Sequence, residues 1–214
     1  MARRKQHKKD EYFELPNCFA KGADMVGKWN TFFQNDNPIT LELGCGTAAL
    51  SRGMAERFPD RNFIGIDLKP DRLWKAAKEC LAENRSNIGF LHLHLLELAG
   101  HFGEGEVSEI WITFPDPFPK AKQAKHRMIN PSFLKLYHQI LKKDGVIRFK
   151  TDNRELFLYA LEIFVAEKNI RFHELHFDLH NANITQPEIL IQTDYEKKFI
   201  EMGLPINYVC LGFV

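Results

Sequence analysis

Five short apolar runs, at residues 40–43, 62–66, 89–93, 109–114 and 146–150, alternate with segments whose apolar positions recur every three or four residues. Strand-length runs separated by helix-length amphipathic segments are satisfied together by a parallel sheet with helices on its faces. Helices are expected at 48–58, 70–84 and 131–142, with another at 154–167 after the fifth strand. In the first of them Leu50, Met54 and Phe58 fall on one face. Near the end of the chain, strand-like segments at 171–178 and 208–214 flank a polar stretch with a short helix near 195–202. With no crossover helix to make them parallel, these two strands are expected to pair antiparallel.

The chain has 214 residues, 44% of them hydrophobic, which is enough for one well-buried core. A single domain is expected over 11–214, preceded by a basic, disordered tail over 1–10. Charge is nearly balanced, with 29 basic against 28 acidic residues, so composition alone points to no nucleic-acid partner. Distribution is more informative. Arg3, Arg4, Lys5, His7, Lys8 and Lys9 form one acid-free run, and Lys120, Lys122, Lys125, His126 and Arg127 form another after a proline-rich loop. Cys18, Cys45, Cys80 and Cys210 are widely spaced and form no CxxC pair, as in a reduced cytoplasmic protein. No run of about 18 apolar residues exists, so neither export nor membrane insertion is expected.

The first chemical motif is Leu41-Glu42-Leu43-Gly44-Cys45-Gly46-Thr47-Ala48-Ala49, a glycine-rich turn between the first strand and the first helix. Glycines here permit positive φ and close approach of backbone to a ligand on the carboxyl edge of the sheet. Asp67, ending the second strand, can accept hydrogen bonds from both hydroxyls of a ribose. The pair marks a nucleoside site, but the spacing G-x-G-x-x-A also describes dinucleotide-binding dehydrogenases. Glu42 bears on the choice: a carboxylate there suits the ammonium or sulfonium of S-adenosylmethionine and repels a pyrophosphate.

The second motif is Phe114-Pro115-Asp116-Pro117-Phe118-Pro119-Lys120, directly after the fourth strand. Its three prolines fix φ and are expected to push the preceding residues toward extended conformations, giving a stiff loop that holds Asp116 at the cleft. Phe118 is the aromatic most suited to stack on a base. The histidines at 92, 94, 173, 176 and 180 lack the carboxylates or thiols of a metal set, and no metal is expected.

Taken in order, Glu42–Gly46 (ELGCG), Gly65–Asp67 (GID), Phe114–Lys120 (FPDPFPK), Lys125–Phe133 (KHRMINPSF), Thr151–Asn153 (TDN) and Thr193–Glu196 (TDYE) resemble the tRNA (guanine-N7-)-methyltransferases of the bacterial TrmB type. The likeness runs from about Asn37 to the C-terminus. It implies a class I methyltransferase fold, Rossmann-like α/β, with a seven-stranded mostly parallel sheet in the order 3-2-1-4-5-7-6, strand 7 antiparallel and helices on both faces. It implies methyl transfer from S-adenosylmethionine, leaving S-adenosylhomocysteine, to N7 of guanine at position 46 of the tRNA variable loop. No metal and no obligate protein partner are implied, and the protein is expected as a monomer or homodimer.

Carried over residue by residue, the resemblance implies that Glu42, Gly44, Gly46 and Asp67 hold the cofactor. Asp116 is the central acid, beside both cofactor and base. Lys120, Arg127, Asp152, Thr193, Asp194, Tyr195 and Glu196 are implied at the substrate, with Arg127 on the RNA. One position departs: where many members carry an aspartate that accepts from the adenine amino group, this chain has His94, which could accept through a neutral ring nitrogen.

Guanine N7 carries a lone pair and no proton, so its methylation needs no general base; positioning and electrostatics are what the protein must supply. Two other readings stand beside this one. A nicotinamide-dependent oxidoreductase would explain the glycine turn but not the proline loop. A non-catalytic RNA-binding relative would result if His94 had abolished cofactor use.

Overall fold

The computed structural model describes residues 2–214; Met1 and the side chains of Ala2, Arg3 and Arg4 lie outside what is described. Its centre is one sheet. Strands β1 (Cys18–Phe19), β2 (Ile39–Leu43), β3 (Asn62–Asp67), β4 (Ile88–His92), β5 (Val107–Thr113), β6 (Leu141–Thr151), β7 (Ile170–His176) and β8 (Asn207–Phe213) lie in the order β1-β4-β3-β2-β5-β6-β8-β7. All pairings are parallel except those of β8, which runs antiparallel to both β6 and β7. Without β1 this is the expected order 3-2-1-4-5-7-6. The two-residue strand β1, paired with the outer edge of β4, makes the sheet eight-stranded instead of seven.

The central strands β2 and β3 are buried along their whole length, including the polar residues Thr40, Glu42, Asn62 and Asp67. Alternation still sorts their side chains. Ile110 and Ile112 enter one core and Trp111 the other, so each face of the sheet carries its own layer. Helices α1 (Ala2–Tyr12), α2 (Trp29–Phe33), α3 (Ala49–Arg57), α4 (Pro70–Ala82), α5 (Pro131–Ile140), α6 (Arg154–Ala166) and α7 (Asp194–Glu201) complete the fold.

Local chemistry sets several helix starts. Asn130 accepts from the amides of Ser132 and Phe133, with Pro131 at the first helical position of α5. Asn153 does the same for Leu156 at α6, and Thr193 for Glu196 at α7. Each such cap is worth about 1 kcal/mol.

The N-terminal region, expected as a disordered tail, is placed as a helix. Residues 2–12 form α1, docked on α4. Its anchors follow the basic run: Tyr12 is fully buried and donates its hydroxyl to the carbonyls of Phe90 (2.9 Å) and Phe19 (3.2 Å). Glu11 accepts from the indole of Trp74 and from Lys78, and Lys8 lies 4.7 Å above the Trp74 ring. A run of like charge favours disorder only when nothing beside it can be buried, and here Tyr12 supplies that burial.

Candidate active site

The turn after β2 has the backbone anticipated from its glycines. Gly44, Gly46 and Ala48 all have positive φ, at 69°, 57° and 54°. A Cβ on Gly46 would meet nothing within 4 Å, so the space above this residue is open to a ligand. Asp67, 6% exposed, accepts from the amide of Gly46 at 2.9 Å and from that of Lys69 at 2.8 Å. It therefore holds the turn as well as facing the end of β3.

Glu42 is 3% exposed beneath the same turn. One carboxylate oxygen accepts from the Ser51 amide (2.9 Å) and hydroxyl (2.5 Å), and the other from Thr113 (3.4 Å). Because Ala48 offers no side-chain cap, Glu42 satisfies the first turn of α3 in its place. Burial pushes its pKa up to about 7, against the pull of Ser51 and Thr113, and the charge of Asp67 raises it further. Burial likewise raises the Cys45 thiol, with Glu42 and Asp67 adding to the effect. The turn thus carries two buried carboxyl groups, Glu42 beneath it and Asp67 beside it.

The proline loop leaves the sheet beside this turn. Leu43 is in register with Ile112, and Thr113 with Lys150, so Phe114 emerges between the glycine turn and the end of β6. Phe114 and Phe118 differ from the expected extended form: their φ angles are 49° and 44°. Packing overrides the local preference set by the following prolines. The Phe114 amide stays bonded to the Lys150 carbonyl while its ring turns onto Phe199 of α7. Phe118 is half-buried against His126, and Asp116 is exposed between the two phenylalanines.

Arg127 is not free for RNA as placed. Its guanidinium donates to the carbonyls of Pro117 (3.2 Å) and Phe118 (3.0 and 3.3 Å) and lies 4.1 Å over the ring of Tyr159. Lys120, Lys122, Lys125 and His126 are all exposed.

Asp152 follows β6 at the same edge, half-buried, and burial raises its pKa. Thr193 is buried as the cap of α7, with Asp194 and Tyr195 exposed beside it. Glu196, expected at the substrate, points inward instead. It is fully buried and accepts from the ammonium of Lys150 at 3.1 and 3.2 Å, with the ring of His180 at 3.0 Å. Lys150 also donates to the Ile189 carbonyl at 2.7 Å, and burial lowers its pKa while Glu196 pulls it back up. This ion pair ties the 189–196 segment to β6. Sequence reading missed Lys150, whose only signal was a charge near the end of an apolar strand.

His94 spends its acceptor locally, taking the Leu96 amide on Nδ1 at 3.3 Å. In the neutral ring this leaves Nε2 as a donor, so the ring as placed does not offer an acceptor to an adenine amino group. Among the described residues, no group of three or more potential metal-ligating side chains is gathered, and no helix is long and apolar enough to cross a membrane.

The family model described as "Putative methyltransferase" matches residues 36–209. A tRNA (guanine-N(7)-)-methyltransferase of Porphyromonas gingivalis is 44% identical over 193 residues, 89% of this chain and 78% of the relative. The enzyme of the same name from Bacillus subtilis is 41% identical over 86% of this chain and 84% of its own length. Among solved structures, the 16S rRNA methyltransferase KamB superposes with a TM-score of 0.67 at 11% identity, covering 88% of this chain and 93% of that one. A 16S rRNA (adenine(1408)-N(1))-methyltransferase from Catenulisporales acidiphilia, solved with its cosubstrate SAM, gives 0.60 at 11% identity over 88% and 90% of the two chains. At such identity these structures speak to the fold, which is that of class I methyltransferases.

Proposed function

The chain belongs to the tRNA (guanine-N7-)-methyltransferase family, and from that premise we infer that it transfers a methyl group from S-adenosylmethionine to N7 of a guanine in tRNA, at position 46 of the variable loop. Sequence identity above 40% over most of the chain carries the reaction class. The cofactor assignment is supported by the turn, in which the carboxyl groups of Glu42 and Asp67 flank Gly44 and Gly46. Family membership removes the oxidoreductase reading, and a carboxylate at Glu42 would repel a dinucleotide's pyrophosphate.

When bound, S-adenosylmethionine supplies an electrophilic methyl group on a sulfonium. Glu42 and Asp67 provide the negative field that holds such a cation, with Asp67 also placed to accept from ribose hydroxyls. Gly44 and Gly46 let the backbone approach, and His94 offers a donor at the adenine end. Asp116 accepts from N1–H and the amino group of guanine, directing N7 toward the cofactor and stabilising the positive charge that develops on the purine. No proton leaves N7, so Asp116 is assigned orientation and electrostatics, not proton abstraction.

Lys120 and its exposed neighbours meet RNA phosphates, and Asp152, Thr193, Asp194 and Tyr195 border the base. We place the protein in the cytoplasm, where Cys18, Cys45, Cys80 and Cys210, all unpaired thiols, stay reduced. It would act there as a monomer or homodimer. Nuclease digestion and mass spectrometry of tRNA treated with the protein and S-adenosylmethionine tests the reading: 7-methylguanosine in the variable-loop fragment is expected. Tight RNA binding with no methyl transfer under any condition would instead identify a non-catalytic RNA-binding relative.

A further inference from the structure

We propose that Arg127 is a positioning residue, an internal latch that holds the 114–119 loop in the shape that presents Asp116, and not the phosphate contact its basic surroundings suggest. The inference rests on the function proposed for that loop. Of the five cationic or ionisable side chains in 120–127, four project into solvent, whereas Arg127 is half-buried. Among the described residues its guanidinium meets no carboxylate. Nε donates to the carbonyls of both Pro117 and Phe118, Nη2 adds a second bond to Phe118, and the Tyr159 ring on α6 covers one face.

The latch is anchored on both sides. The Arg127 carbonyl accepts from Asn130 at 2.7 Å, the same side chain that caps α5. The next residue, Met128, lies against the glycine turn so closely that a Cβ on Gly44 would come within 2.6 Å of its methyl. One short segment therefore grips the Asp116 loop with its first side chain and covers the cofactor turn with its second, which sets the register between them.

The loop needs such a restraint. Phe114 and Phe118 have left-handed φ, unfavourable for any side chain with a Cβ, and each precedes a proline that disfavours compact conformations. Strained backbone of this kind persists only where its surroundings over-determine it. Released, the loop would relax by rotation at Phe118 and carry Asp116 with it. Only a planar fork can reach two successive carbonyls while stacking on a ring; a lysine ammonium can do neither in full.

The test compares Arg127→Lys, Arg127→Ala and Tyr159→Leu with the wild type, each first checked by thermal unfolding. Three quantities are read: turnover at saturating tRNA, the salt dependence of tRNA affinity, and, without RNA, amide exchange at Phe114, whose bond to the Lys150 carbonyl anchors the loop. A latch predicts that Arg127→Lys loses turnover on the order of 100-fold, keeps the salt slope, and exchanges faster at that amide. Tyr159→Leu should show the same exchange change, to a smaller degree. Near-normal turnover in Arg127→Lys, or a salt slope reduced by about 0.7 to 1 in Arg127→Ala with exchange unaltered, overturns the proposal. Should the wild type methylate no tRNA, the functional reading fails, yet the exchange measurements on Arg127→Lys and Tyr159→Leu still decide the latch.

Discussion

The two halves of the cleft are built on different terms. On the cofactor side Glu42 and Asp67 are 3% and 6% exposed, and each already accepts hydrogen bonds from the protein. On the substrate side Asp116, Lys120 and Asp194 are exposed, and none has a side-chain hydrogen bond or ion pair among the described residues. Charges buried by the fold must be satisfied by it, whereas charges left in water can wait for a partner. The half proposed for the cofactor is therefore satisfied within the fold, and the half proposed for RNA keeps its charges in water.

The largest effect that bears on this contrast is expected from Asp116→Ala. Turnover should fall on the order of 100- to 1,000-fold, while affinity for S-adenosylmethionine, read by calorimetry, barely moves. Equal losses in both would mean that the halves are not separable.

Glu196→Ala should act on the frame instead of on the chemistry. It strands the Lys150 ammonium in the interior, and urea unfolding at neutral pH should show a loss of about 3 kcal/mol. The loss should shrink as pH rises, because the lysine, its pKa already lowered by burial, can then shed its proton. A fully stable variant at neutral pH would show that the 189–196 segment is held by something else.

A smaller effect concerns Glu42. Burial raises the pKa of this carboxyl to about 7, so it binds a proton far more readily than an exposed carboxylate does. A cationic cofactor favours the ionised form, so affinity should tighten about tenfold between pH 6 and 8. Stability of the free protein runs the other way. The folded pKa lies above the ordinary carboxylate value of about 4.5, so this group's contribution is present below about 4.5 and lost as pH rises through 7. A cofactor affinity that is flat across this range would remove Glu42 from contact with the cation.

The smallest is Lys120→Ala, which should weaken tRNA binding several-fold and lower its salt slope by about 0.7. Cofactor affinity should not change. An unaltered slope would take Lys120 off the phosphate track.

Much of this site could be read along the chain. The strands end within two residues of expectation wherever an apolar run meets a turn, apart from the start of β6, which reaches back to Leu141 through charged residues. Gly44 and Gly46 have the positive φ that their motif requires, and Asp67 stands at the end of β3. These features are set by neighbours a few positions away, so periodicity and glycine placement carry them.

What the sequence determined on its own was the alternation of strands and helices and the glycine turn after the first long strand, because hydrophobic period and turn chemistry are properties of the chain itself; the order of the strands came only with the family resemblance. Only the tertiary structure decided which charges would be used up inside. Glu196 found Lys150 across 46 residues, Arg127 found the carbonyls of its own loop, and α1 found Trp74 and Phe90. A charged or polar residue announces that it needs a partner, but whether water, RNA or a distant side chain meets that need depends on what folding brings within about 3 Å.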